Sequence, residues 1–396
     1  MDNSNREGGP ARLPIRARIA TTVGGAAATV SRLAGRDGSV ISGIVGLRLE
    51  PDLLSMLARR RQIVLVTGTN GKTTTTRLIT AALSRAPEAS IAVLETDEKY
   101  IPAMVRATRP RIVVLLNLSR DQMDRAAEIW LLARRWREAF ENAPGCRVVA
   151  NADDPLVVWA ASGAREVTWV AAGQSWREDS WCCPHCGAHL QRDGDDWSCR
   201  ECSNRRPPVS WVLAGESMID PSGQSRPIDL TLPGRANRSN AVVALAVADA
   251  FGVKVPNALR ALRKVTSVAG RYTQVRRRGV DLRLLLAKNP AGWLEALDVL
   301  APAPVPVLLA VNAQGPDGRD TSWLWDVDYR RLRDRVVLVG GERKMDLAVR
   351  LEADEVPFRL VDDIDEAIGV AAAPQLEVLA NYTAFQQYRA VLGRTE

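Results

Sequence analysis

VTGTNGKTTTTRLI, residues 66–79, decides how the rest of the chain is read. It closes an apolar run that starts at Ile63 and opens a helical pattern that reaches Ser84. Its centre, Gly68-Thr69-Asn70-Gly71-Lys72-Thr73, is a short GxxGK[ST] loop rather than the commoner GxxxxGK[ST] form. Glycines let a backbone turn its N–H groups toward phosphate oxygens, and the helix that follows offers its positive end. On this reading Gly68, Thr69, Asn70 and Gly71 cradle phosphate, and Thr74 belongs to the same binding set. Lys72 contacts the terminal phosphates, and the Thr73 hydroxyl ligates Mg²⁺. A plain strand–helix turn, or threonines that only cap the helix, would leave Lys72 unexplained.

Outward from the loop, apolar runs alternate with helical patterns. Ile63–Thr67, Ile91–Glu95, Ile112–Leu116 and Arg147–Ala150 read as strands. Lys72–Ser84 reads as a helix, as does the segment with Ile129, Leu132, Ala133 and Trp136 at helical spacing. Such alternation predicts an α/β fold with a parallel sheet covered by helices. Regular structure is expected again at Val209–Leu213 and Ile228–Leu232, followed by a helix that ends at Gly252. A basic stretch, Arg260–Arg278, marks a boundary. Beyond it the alternation restarts with Leu282–Ala287, Val305–Val311, Arg335–Val339, Phe358–Val361 and Leu376–Ala380. The expected organisation is a lead-in over 1–50, a phosphate-binding domain over 51–265 and a smaller α/β domain over 266–396.

Residues 176–208 interrupt this pattern as an inserted module. They hold five of the six cysteines and both histidines. Cys183-Pro-His-Cys186 and Cys199-Arg-Glu-Cys202 are two CxxC knuckles separated by twelve residues. Each knuckle sets two thiolates on one side of a tight turn, and two knuckles complete a tetrahedral Zn²⁺ site. Four protein ligands close the site, so the metal is expected to be structural. Cys182 could stand in for Cys183, and His185 and His189 are spectators. The ribbon carries few aromatic or basic residues of the kind that bind nucleic acid.

Composition sets the outer limits. The 396 residues suit two domains, and 46% are hydrophobic, enough for sizeable cores. Lys plus Arg is 53 against 46 for Asp plus Glu, giving +7, which fits anionic ligands without choosing among them. No apolar run approaches the roughly 20 residues of a membrane helix. The first residues lack the apolar core of a signal peptide. A cytoplasmic protein without a transmembrane segment is expected, and in a reducing compartment paired cysteines favour metal over disulfides.

The loop and its surroundings resemble the Mur ligases and folylpolyglutamate synthases. TGTNGKTTT matches their ATP loop, while NADDP, residues 151–155, and the Asn240 helix match the same central domain. The resemblance places Asn240 at the adenine and Glu95 at the second magnesium position. Asp97 and Glu98 lie just after it. With the four-cysteine insertion, the resemblance narrows to the MurT subunits of lipid II isoglutaminyl synthase. NLSRDQMDR (117–125), LAKNPAGW (286–293) and GPDGRDTSWLWDVDY (315–329) agree with it. One departure is visible: in that family a Gly/Asn-containing loop and a helix precede the strand ending at Glu95, whereas here only SRAPEAS, residues 84–90, intervenes.

The resemblance implies ATP-dependent amidation of a D-glutamate α-carboxylate in the lipid II stem peptide, through an acyl phosphate. ATP, Mg²⁺ and Zn²⁺ are the implied cofactors, with Lys72 and Glu95 at the reacting phosphoryl group. A glutaminase needs a nucleophilic cysteine and a histidine base. Both histidines lie in the ribbon, and Cys146 has none beside it in sequence, so ammonia is expected from a GatD-type glutamine amidotransferase partner. The resemblance makes Asp320 the residue that faces this partner and completes its Cys–His pair. Peripheral contact with the inner membrane face is compatible with such a substrate, and no nucleic acid is expected. Two other readings stay open: an amino-acid-adding Mur-type or folylpolyglutamate ligase, and a zinc-ribbon nucleotide-binding protein that docks on nucleic acid.

Overall fold

A computed structural model describes residues 13–33, 39–59, 61–86, 90–120, 128–174, 176–266 and 272–393. Residues 121–125 of the NLSRDQMDR motif, 87–89 of the short connection, and 267–271 beside the expected boundary lie outside the described residues.

The first sheet grows from β1 (Gln62–Thr67), whose residues after Gln62 are all buried. Alternate side chains of a strand point to opposite faces. Val64 and Val66 accordingly enter a core with α4 (Lys72–Leu83) and α8 (Arg235–Ala250). Ile63 and Leu65 enter a second core with α5 (Ile101–Thr108), α6 (Glu128–Glu141) and α7 (Pro155–Ala161). A strand buried on both faces is what an unbroken apolar run specifies.

β2 (Ile91–Glu95) and β3 (Ile112–Leu115) flank β1 in parallel. β4 (Arg147–Asn151), β5 (Glu166–Ala171) and β8 (Trp211–Ala214) extend the sheet beyond β3, also in parallel. The antiparallel pair β9 (Ser217–Ile219) and β10 (Ser225–Pro227) closes that side, giving the order β10-β9-β8-β5-β4-β3-β1-β2. β2 is the edge strand beside β1, half-buried along Ile91–Leu94 and exposed at Glu95. Between β5 and β8 lies the ribbon, with a hairpin of β6 (Leu190–Asp193) and β7 (Asp196–Cys199).

A second sheet has the order β11-β12-β16-β13-β14-β15. It is built from β11 (Tyr272–Arg277), β12 (Val280–Leu286), β13 (Val307–Ala310), β14 (Val337–Gly340), β15 (Phe358–Leu360) and β16 (Gln375–Ala380). Only β11 runs antiparallel to its neighbour. α10 (Pro290–Asp298) and α11 (Lys344–Ala353) cover one face; α12 (Ile364–Ala371) and α13 (Tyr382–Leu392) cover the other.

Several elements differ from the sequence reading. Ile228–Leu232 forms no strand of its own: the ladder of β10 runs out just after Pro227, with a last bond from Ile228 N–H to Glu216 O at 2.8 Å. Its ends still serve as buried apolar anchors, Ile228 and Leu232. Part of the basic boundary stretch is β11, which register with β12 stabilises where charge hides the period-two pattern. α8 ends at Ala250, with Gly252 two residues on at φ +73°. There Gly252 N–H donates to Asp249 O at 2.8 Å and Val253 N–H to Ala248 O at 3.0 Å, closing the helix end. The lead-in is helical: α1 (Ile15–Leu33), α2 (Ser39–Leu49) and α3 (Leu53–Ala58).

Candidate active site and metal centre

The phosphate loop leaves the carboxyl end of β1. Gly68 has φ +143° and Gly71 φ +84°, backbone conformations that side chains disfavour. Space is also closed. A Cβ on Gly68 would stand 2.8 Å from Leu116 Cβ, and one on Gly71 2.8 Å from Asn240 Oδ1. The exit of β3 pins the loop. Thr69 N–H donates to Asn117 O (3.1 Å) and Asn70 N–H to Asn117 Oδ1 (2.8 Å). Thr69 Oγ1 accepts from Ser119 N–H and donates to Ser119 O, each at 2.9 Å. The loop is therefore held in shape before any phosphate arrives.

Lys72 folds back over this loop. Its Nζ donates to Gly68 O at 2.6 Å, to Thr69 O at 3.3 Å and to Glu98 Oε1 at 2.7 Å. Burial raises the Glu98 carboxyl above its ordinary range, against the opposing pull of Lys72. Thr73 Oγ1 donates to Glu95 Oε1 at 3.0 Å, so the two residues expected at magnesium already touch. Both oxygens are accessible, and this hydroxyl–carboxylate pair beside a lysine suits a hard cation bridging phosphate oxygens. Thr74 is buried in the first turn of α4, and Asp97 accepts from Lys99 N–H.

Asn240 lies against Gly71 and lines one cavity with Asn117, Asn151, Gly173 and Arg235. Glu295 and Asp298 of α10 enter it from the second sheet's unit, so the cavity spans both halves of the chain. The same junction is tied directly. Asn70 Nδ2 donates to Asn289 Oδ1 at 3.2 Å, and Asn289 Nδ2 donates back to Asn70 Oδ1 at 3.4 Å. The turn NPAG, featureless from residue types alone, thus meets the phosphate loop through its Asn. Arg235, at the start of α8, also escaped the sequence reading. Its guanidinium lies over Gly173, in the space that a side chain there would take.

The ribbon sits on the adjoining NADD segment. Trp197 Nε1 donates to Ala152 O at 3.0 Å, and Arg206 Nε donates to Asp153 Oδ1 at 2.7 Å. Asp153 Oδ2 in turn accepts from Gly173 N–H at 2.5 Å. Asp154 caps α7 by accepting from Leu156 and Val157, and also takes Leu118 N–H. Burial pushes its carboxyl up to about 6 despite those donors. Trp197 is buried in this contact; Trp176 is buried as well, while Trp181 of the same ribbon is half exposed.

Within the ribbon the sulfur atoms of Cys183, Cys186, Cys199 and Cys202 all lie within 4.8 Å of one another. Cys183 and Cys202 are 3.6 Å apart, and Cys186 and Cys199 3.5 Å. A tetrahedral zinc at about 2.3 Å from each thiolate would space them about 3.8 Å apart, so the donor set fits Zn²⁺. Cys182 stands outside the cluster, and its backbone pairs with that of His189 in an isolated antiparallel bridge. We expect one zinc per purified chain, and loss of that zinc with early unfolding of the ribbon in Cys199→Ser, since binding energy is folding energy here. Metal analysis and thiol titration check this; no zinc with freely titrating thiols in the folded wild type would reject it.

Asp320 is exposed, on the loop between β13 and β14. Its Oδ1 accepts from Ser322 N–H at 2.8 Å, just ahead of a short 3₁₀ turn, Ser322–Asp326. Asp317 in the same loop is committed elsewhere, accepting from Thr383 N–H at 3.1 Å. Cys146 is buried, and burial pushes its thiol up to about 12, which leaves no thiolate nucleophile there. A roomy cleft is lined by Pro110 and Cys146, at the amino ends of β3 and β4 and thus away from the loop. Ligands of open α/β sheets bind at the carboxyl ends, where the loop lies.

Residues 86–248 match the Mur ligase middle domain family, and residues 286–385 match the MurT ligase C-terminal family. The chain is 28% identical to the lipid II isoglutaminyl synthase (glutamine-hydrolyzing) subunit MurT of Streptococcus pneumoniae, over 90% of this chain and 92% of that one. It is also 28% identical to the MurT subunit of Staphylococcus aureus strain COL, covering 92% and 95%. Among solved structures, a pseudomurein peptide ligase type C from Methanothermus fervidus superposes with a TM-score of 0.67 at 15% identity, over 88% of this chain and 84% of that one. That last likeness concerns the fold alone. A Mur ligase middle domain implies use of ATP, and the four-cysteine cluster suggests zinc. With both halves of the chain matched and the full-length relatives agreeing, the chain belongs to the Mur ligase family, in its MurT branch.

Proposed function

We propose that this chain is the synthetase subunit that amidates the D-glutamate α-carboxylate of lipid II, using ATP and ammonia from a partner glutaminase. The observation that carries the reading is the pre-shaped loop, with Lys72 beside the Thr73–Glu95 pair and Asn289 from the other sheet's unit closing on Asn70. A carboxylate oxygen attacks the γ-phosphorus and ADP leaves, giving an acyl phosphate. Ammonia then adds to the carbonyl, phosphate departs, and a proton is lost to leave the carboxamide. Lys72 and the loop amides stabilise charge on the transferring phosphoryl group. Mg²⁺, held by Thr73 and Glu95, would supply the bridging positive charge. Asn240, Asn151 and Arg235 line the cavity that we assign to the nucleoside. The zinc has a structural part.

Ammonia comes from a second chain on this reading. Cys146 is buried with a raised thiol, and His185 and His189 both lie in the ribbon. Asp320 is the residue assigned to that partner. Co-expression with a glutaminase, followed by mass spectrometry of lipid II, tests the whole proposal. The expected result is the small mass loss of carboxyl to carboxamide, dependent on ATP. Addition of an amino acid instead, or no change in mass, would reject it.

A further inference from the structure

The lead-in hairpin is packed inside out. The residues that α1 buries are small: Ala17, Ala20 and Ala28. Gly24 continues that face, where a Cβ would stand 2.8 Å from Ser42 O of α2. The large apolar side chains point away from the protein. Ile15 is 74% exposed, Ile19 52%, Val23 41% and Val30 67%; on α2, Ile41 is 36% exposed and Ile44 49%. At about 100° per residue, the four on α1 fall within an arc of roughly 80°, opposite the alanine face. Isolated exposed aliphatics need no explanation, but a continuous stripe along one helix does.

Charge says what covers it. On the same helical wheel Arg16 and Arg18 flank the apolar arc on its two sides. Neither has an acidic partner among the described residues. α1 and α2 contain Arg16, Arg18, Arg32 and Arg48 and no Asp or Glu at all. An apolar stripe bordered by arginines, on a helix of low overall hydrophobicity, is the pattern of a helix lying in a membrane interface, where guanidinium groups reach phosphate headgroups. A protein groove would have to supply acidic residues on both sides of the stripe, whereas an anionic bilayer meets both flanking arginines at once. No helix among the described residues is long and apolar enough to cross a membrane, so the hairpin would lie on the surface. The hairpin reaches the phosphate-binding half through α3, whose Ala58 packs in the same core as α5.

We propose that the α1–α2 hairpin docks this protein on an anionic lipid bilayer, with α1 flat in the interface. The proposal rests on the reading above that the acceptor carboxylate is carried by a membrane lipid, and it adds how the enzyme finds that acceptor.

The test uses the full chain and vesicles of phosphatidylglycerol with phosphatidylcholine, against vesicles of phosphatidylcholine alone. Wild type is expected to co-sediment with the anionic vesicles, less so at high salt. Ile19→Glu/Ile44→Glu and Arg16→Gln/Arg18→Gln should each lower that partition at least tenfold. Melting should stay unchanged, because these side chains are exposed. With the glutaminase present, both variants should match wild type on detergent-dispersed lipid II and fall behind it on vesicle-embedded lipid II. Wild type that ignores anionic vesicles, or variants that bind them equally well, would overturn the proposal. So would a wild-type dimer, or a glutaminase complex, that the variants abolish while vesicle binding persists. Vesicle binding without amidation in detergent would sink the proposed reaction and leave the docking surface standing.

Discussion

Lys72→Ala is expected to lower ATP-dependent amidation roughly 10²–10³-fold or more, the scale lost when a donor to transition-state charge is removed. The change should act on turnover rather than on folding. Among the described residues the Lys72 ammonium bonds only to its own loop and Glu98, and both partners of the ion pair retain some exposure, 20% and 15%. Its removal leaves the Glu98 carboxylate without a counterion, but burial has already raised that carboxyl, so it can take a proton instead. After discounting for solvent, the stability cost is on the order of 1–2 kcal/mol. Turnover and melting measured on the same preparation separate the two effects, with zinc content as a check that the ribbon is intact. A variant that kept full amidation with either nitrogen source would remove the loop from the mechanism.

Asp320→Asn should divide the two nitrogen sources. Amidation driven by added ammonia is expected to survive, while amidation driven by glutamine falls by up to about 10⁴-fold, as when a triad aspartate is made an amide. The geometry makes this a clean substitution. Oδ1 of Asp320 accepts from Ser322 N–H, a bond that an asparagine oxygen can also accept, so the turn is kept. The side chain is exposed, and its second oxygen has no partner among the described residues, which leaves it available across an interface. Equal loss with both sources would put Asp320 in the ligase site. No loss with either would leave it a turn residue.

Local signals in the sequence carried far, and non-local ones did not. The β1–loop–α4 unit is contiguous, and its glycines, lysine and apolar run act on one another within a few residues. The thiol cluster was legible for a similar reason: each knuckle is local, and only the hairpin of β6 and β7 had to bring the two together. Asn289 could not be picked out by residue type, because its partner Asn70 lies 219 positions away and neither residue signals a contact. Glu98 was noticed only as a carboxylate near a strand end, while its pairing with Lys72 depends on how the chain turns after β2. Arg235 was hidden for another reason, since an arginine before a helix is ordinarily a surface residue. Ile228–Leu232 misled because apolar residues suggest a strand, and here Ile228 and Leu232 are buried outside one.

The ion pair between Lys72 and Glu98 has a consequence for how the loop loads. In the free loop the ammonium serves the carboxylate and two carbonyls at once. A phosphate that captures Lys72 strips Glu98 of its counterion in a site where burial already disfavours the anion. Something must replace that charge. If a proton does, the complex binds more protons than the free protein, and nucleotide affinity declines as pH rises between the two carboxyl pKa values. If a divalent cation does, the dependence moves from pH to metal concentration. Either way, nucleotide entry is expected to be coupled to a proton or a cation at Glu98, and the pH and metal dependence of nucleotide binding would show which.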